Sequence, residues 1–267
     1  MRAGPPRHPH RSPSCAGAGA ALVLVAWIAL ARSAGAAEWG QRFDFRQLQY
    51  TIRGSVPPST AAKRIAWELR KRTSIEVLLE PTRVRLRDAE LFNSPFLYWR
   101  GGEAFPPLDQ AEVGALRRFV DFGGFVLIDD SSRPAGKADG GFDASIRRDL
   151  ARAFGPAQLQ RLPSTHTVYR SFYLLRRPVG RIEGPAYLEA IQRAGRAAVI
   201  YSRHDLGGAW ERDNLGNWTY AVVPAGEDQR EQALRLGVNL VMYALCLDYK
   251  DDRVHAPFIM RRYGTVR

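Results

Sequence analysis

The chain has 267 residues, 45% of them apolar, 10% aromatic and 25% charged, with a formal net charge of +12. That is enough apolar material for one sizeable core, and disorder is not the expectation. Two cysteines exclude a disulfide-stapled scaffold. The basic balance is almost all arginine, since only Lys63, Lys71, Lys137 and Lys250 are lysines. These arginines are scattered along the chain and not gathered into a stripe with aromatics, so no nucleic-acid partner is expected.

The N-terminus has the three parts of a secretory leader. Arg2, Arg7 and Arg11 give a positive start, Ala16 to Ala31 form an unbroken apolar and small run, and small residues from Ser33 to Ala37 precede Glu38. The run is shorter than the roughly 20 residues a spanning helix needs. A signal peptide over residues 1–37 is expected, leaving a mature domain of residues 38–267 in the periplasm or secreted, soluble and with a charge of +8. The alternative is an uncleaved anchor, because Trp27 and Arg32 could flank a short span. With Cys15 in the leader, only Cys246 remains, and its neighbours in NLVMYALCLDY predict a buried thiol.

QLQYTIR (47–53) alternates polar and apolar residues and predicts a first strand; Pro57 and Pro58 interrupt it. Ser59 or Thr60 should cap a helix to about Arg72 with Ala62, Ile65, Ala66 and Leu69 on one face. Extended pieces follow at Glu76–Leu79 and Val84–Leu86, then a buried strand from Phe96 to Trp99. Asp109 with Glu112 three residues on makes a capping-box start, Val113, Leu116, Phe119 and Val120 keep helical spacing, and Gly123 supplies the stop. FVLID (125–129) reads as a central parallel strand. A helix feeding such a strand is the unit of an open wound sheet.

Phe142 to Phe154 predicts another helix, and residues 155–195, with four prolines and no clear period, an insertion of short strands and loops. RAAVIY (196–201) returns to the core, Ser202 to Gly216 reads as a polar loop, and Trp218 to Val223 as a further strand. Gln229 to Leu247 is a long helix whose second half is apolar on nearly every side, so it must be buried on more than one face.

The stretch SPFLYWRGGEAFPPLDQAEVGALRRFVDFGGFVLIDDSS (94–132), with FDASIRRDL, LPSTH ending at His166 and VIYSRHDLGGAW, resembles a bacterial family, domain of unknown function 4159. The residues that carry it are Gly101, Glu112, Leu116, Arg117, Gly123, Gly124, Phe125, Asp129 and Asp130; Thr167 stands where the family pattern usually has proline. The resemblance implies a fold similar to class I glutamine amidotransferases and the trehalose-utilisation proteins: α/β, a flavodoxin-like parallel sheet with helices on both faces, here with the insertion. It implies no established activity.

In such a fold the amidotransferase nucleophile is a cysteine on a glycine-flanked turn after a central strand. Asp129, Asp130 and Ser131 stand there instead, without a G-x-C-x-G or G-x-S-x-G frame, which argues against a glutaminase or a serine hydrolase. Ligands of open sheets bind beyond the carboxyl ends of the strands. Asp129 and Asp130 end one strand, His204 and Asp205 follow another, and His166 could fold over the same crevice. Together they are candidates for acid–base work, although Asp129 could equally cap a turn, Asp130 pair with an arginine and His204 simply be exposed. The spacing matches no metal motif, and neither a metal nor a cofactor is expected. Trp210, with Trp218 and Tyr220, lies among glycines, and either stacks a ligand or plugs the core. Two functions are expected in order: a binding or assembly module of the cell envelope, engaging an envelope protein or saccharide, and an envelope hydrolase using Asp129, Asp130, His166 and Asp205.

Overall fold

Side chains that alternate between two buried faces need helices on both, and the chain supplies them. The structure, a computed structural model, describes residues 1, 4, 42–50, 59–132, 141–156 and 159–251. The apolar run of the leader, the end of the first expected strand at residues 51–53, and Pro57 and Pro58 lie outside the described residues. Strands β1 (Arg46–Leu48), β2 (Arg83–Val84), β3 (Phe96–Gly101), β4 (Phe125–Asp130), β5 (Gln160–Arg161), β6 (Glu189–Arg193) and β7 (Arg196–Ser202) form one sheet in the order β2-β1-β3-β4-β7-β6-β5. β2, β1, β3, β4 and β7 are parallel, in the flavodoxin-like order, and β6 runs antiparallel to both β7 and β5. All six residues of β4 are buried, as a central parallel strand requires.

On one face Phe96, Tyr98, Phe125 and Leu127 pack against helices α1 (Ala61–Arg72), α4 (Leu206–Trp210) and α5 (Gly226–Asp251). On the other, Leu97, Trp99, Val126 and Ile128 pack against α2 (Gln110–Asp121) and α3 (Phe142–Phe154). The Asp109–Glu112 capping box is formed in both directions. Of the two glycines that follow α2, Gly123 takes a φ of +98°, and Gly124 lies where a Cβ would stand 2.5 Å from the backbone oxygen of Phe119. The first permits the turn and the second lets strand and helix close. In α5, residues 236–241 are all buried, which matches its all-round apolar sequence.

The structure decides between the two caps expected for α1 and corrects two other expectations. At α1, Ser59 Oγ accepts from the amide of Ala61 at 3.2 Å, while Thr60 Oγ1 turns away to bond the backbone of Arg212 in both directions, at 2.6 and 3.0 Å. The polar loop after β7 contains the buried helix α4, because its glycines leave room for close packing. Residues 218–223 form no strand; Trp218 makes a single antiparallel bridge to Arg212. The insertion holds short strands and loops as expected, and through Leu188, Ala190 and Ile191 it joins the core, with β6 paired between β7 and β5. No helix among the described residues is long and apolar enough to cross a membrane.

Cys246 is exposed, not buried, because it falls where α5 leaves the core. A surface thiol contributes little burial, so Cys246→Ser should change the unfolding free energy by less than about 0.5 kcal/mol. Denaturant titration of both proteins checks this.

Candidate functional site

Asp129 and Asp130 are neighbours in β4, so their side chains leave opposite faces of the sheet. Asp129 is fully buried and accepts from the amides of Leu206 at 2.8 Å and Gly207 at 2.7 Å and from the Tyr98 hydroxyl at 2.9 Å. It thereby ties the start of α4 to the centre of the sheet. Asp205, in a left-handed conformation at φ 49°, accepts from the amide of Gly208 at 3.0 Å.

Arg100 at the end of β3 lies between these carboxylates. Its Nη2 donates to Asp205 at 3.1 Å and its Nη1 to Glu211 at 2.8 Å and to Ser59 Oγ at 3.2 Å, with Nε 3.8 Å from Asp129. Arg181 closes on the other oxygen of Asp205. A Cβ on Gly207 would sit 2.5 Å from Arg100 Nε and the Tyr98 hydroxyl. The glycine is therefore what lets the guanidinium reach so far in.

Burial, then the nearby charge of Asp205, pushes the Asp129 carboxyl up to about 6, against the pull of Arg100 and of the Gly207 and Leu206 amides. Burial works against the charge of Arg100, but Asp205, Tyr98, Asp129 and Glu211 together hold it above its ordinary value.

Asp130 faces α3. It accepts from the amide of Ser132 at 2.8 Å and from the Tyr201 hydroxyl at 3.1 Å, and that hydroxyl is also 2.9 Å from Asp143. Arg147 joins Asp143 at 2.9 Å to Glu189 at 2.7 Å. Burial raises the Tyr201 phenol, and the charges of Asp130 and Asp143 raise it further. The two halves of the acidic pair thus belong to two clusters on opposite faces.

The histidines stand elsewhere. His204 is buried, with Nδ1 3.2 Å from Ser202 Oγ and Nε2 2.8 Å from the Pro185 carbonyl. A neutral ring that donates from Nε2 and accepts at Nδ1 satisfies both partners. His166 does not fold over the crevice. Its Nδ1 accepts from the amide of Val168 at 3.3 Å, and its ring packs on Tyr243, whose hydroxyl accepts from Ala197 at the opposite end of β7 from His204. Trp210 is buried with its indole N–H on the Ala233 carbonyl at 3.1 Å, and so plugs the core. Trp218 lies under Arg212 and Arg230, 4.0 and 4.3 Å from its ring centre, while Tyr220 stays 43% exposed.

The structure therefore brings Asp129 and Asp205 together, and leaves Asp130, His166 and His204 apart from them and from each other as reacting groups. Arg100, Tyr98, Arg181, Glu211, Tyr201 and Asp143 complete the clusters. A charged residue directly after the apolar run FLYW is the signal that points to Arg100. Among the described residues, no three His, Cys, Asp or Glu side chains are arranged to hold a metal ion.

The model of the family described as a domain of unknown function, DUF4159, matches residues 44–245. The chain belongs to this family. No curated protein matches the chain. The matched DUF4159 region spans every strand among the described residues and every part of both acidic clusters, so the Arg100 and Tyr201 networks lie within the family domain.

Two outcomes are expected at this site. Removing one partner of a buried ion network leaves the others uncompensated, so Arg100→Ala should lower stability by about 3–5 kcal/mol in denaturant titration. Burial lowers the His204 pKa to about 4, whereas an unfolded histidine titrates near about 6.5. Its stabilisation is complete above about 6.5 and is lost as pH falls towards 4. Asp129, raised in the fold, acts with the opposite sign, losing stability as pH rises from about 4 to 6, but this cancels between proteins that share it. His204→Gln should therefore be less stable than wild type at pH 7, and the gap should narrow by about 2–3 kcal/mol by pH 4.5. A gap that stays constant would show that His204 does not enter the fold as the neutral ring.

Proposed function

We propose that this chain is an exported protein of amidotransferase-like ancestry that does not hydrolyse glutamine, and that it serves as a binding or assembly module of the cell envelope. The observation that carries this reading is the state of the carboxyl-end crevice. Where this class of sheet holds a nucleophile, the chain has Asp129, Asp130 and Ser131, and the Asp129–Asp205 pair is taken up by Arg100, Arg181, Tyr98 and three backbone amides. Carboxylates engaged in this way are poor general bases, since a base needs a lone pair facing substrate. The basic start, short apolar run and small residues of positions 1–37 support export.

Protein recovered from the envelope should begin at Glu38 when its N-terminus is sequenced; an intact Met1 on membrane-bound protein would contradict cleavage. After cross-linking in intact cells it should migrate as part of a larger complex, Asp130→Asn should leave that complex in place, and the purified protein should release no ammonia from glutamine. A cross-linked monomer, together with turnover of an amide, ester or glycoside that Asp130→Asn abolishes, would establish the envelope hydrolase instead.

A further inference from the structure

Between Arg170 and Arg177 the chain reads RSFYLLRR, two apolar pairs framed by arginines. Phe172 is 45% exposed and Leu174 is 88% exposed, while the alternate residues Tyr173 and Leu175 pack against the core. This outward display is fixed by the fold. Asn239 of α5, fully buried, accepts from the amides of Phe172 at 3.2 Å and Tyr173 at 2.7 Å and donates to the carbonyl of Tyr173 at 2.8 Å. The amide of Leu175 donates to the Tyr169 carbonyl at 2.8 Å, and Ser171 Oγ donates to Thr167 at 2.9 Å. The amides of Phe172, Tyr173 and Leu175 are thus held from within, and the side chains of Phe172 and Leu174 project outward.

The charges around them are as distinctive. Arg170 and Arg176 are exposed, and neither has an ion-pair partner among the described residues. Arg177 stands 3.5 Å from Glu183, each side chain more than half exposed. Two exposed arginines without a carboxylate partner and a third in a solvent-exposed pair, set beside exposed aromatic and aliphatic groups, match the boundary between phosphate headgroups and acyl chains. There the apolar tips leave water and the guanidinium forks pair with phosphate.

We propose that the 170–177 loop docks this protein on an anionic phospholipid surface, with Phe172 and Leu174 entering the headgroup–acyl boundary and Arg170, Arg176 and Arg177 on lipid phosphates. A protein partner fits less well. A stable protein interface covers about 800 Å² per side with a core depleted of charge, whereas here two projecting side chains stand between arginines. One short insertion of this kind gives reversible binding, not anchoring. The proposal goes beyond the envelope reading and does not depend on export, so its failure would leave that reading standing.

The test uses the full chain carrying Cys15→Ala, Cys246→Ser and Leu174→Cys, labelled at position 174 with an environment-sensitive fluorophore. Vesicles of phosphatidylcholine containing about a quarter phosphatidylglycerol should shift its emission to the blue, and phosphatidylcholine alone should not. Adding Arg170→Glu and Arg176→Glu should raise the lipid concentration for half-maximal shift at least about tenfold. The same label at Leu215→Cys, which is as exposed but sits beside Asp213 and Asn214, should not respond. A label at Phe172→Cys serves if position 174 disturbs folding. No shift at the loop, an equal shift with uncharged vesicles, or a shift that grows with protein concentration in the absence of lipid would each overturn the proposal, the last by making a second copy the partner.

Discussion

The guanidinium of Arg100 is the constraint around which the carboxyl end of the sheet is organised. It is a cation brought in to 18% side-chain exposure at the end of a central strand, and it needs anions from several directions. They come from β4 through Asp129, from the turn after β7 through Asp205 and from the segment after α4 through Glu211, with Ser59 at the start of α1 as a neutral acceptor. Networks of this kind add little net stability over an apolar replacement, but they leave few alternative arrangements open. The left-handed turn at Asp205, the two glycines after it and the burial of α4 all follow from the need to bring amides and carboxylates to this centre.

The same strand geometry that builds this cluster separates it from the second one. Consecutive residues in a strand face opposite sides, so no twist of β4 could place Asp129 and Asp130 in one crevice. Asp129 is spent on helix α4, and Asp130 on Tyr201 and the turn to Ser132. An acidic pair in sequence is here a pair of single carboxylates on two surfaces.

Most of the architecture was legible because its signals are local. The capping box at Asp109, the two glycines after α2, the apolar run of β4 and the all-round apolar half of α5 each state their structure within a few residues. What escaped was set by distant partners. Thr60 looks like a cap but is drawn to Arg212, 152 positions away. Helix α4 hides in a glycine-containing polar stretch because its stability comes from Asp129 in another strand. β6 carries few apolar residues and is recognisable only beside β7. His166 was expected over the carboxyl-end crevice, but the distant Tyr243 holds it at the other end of the sheet. Arg100 was visible as a charge after a strand, yet its role depended on carboxylates from three segments.

The sheet ends at both sides on strands of two residues, β2 and β5, and in β5 both Gln160 and Arg161 are exposed. A two-residue margin offers another chain almost no ladder to continue, and an exposed arginine on it adds charge and bulk against close approach. Among the described residues, a partner that binds by adding a strand therefore finds little to extend. Any partner would have to be met by side chains on loops and helix surfaces, where arginines and aromatics and not backbone groups would do the recognising.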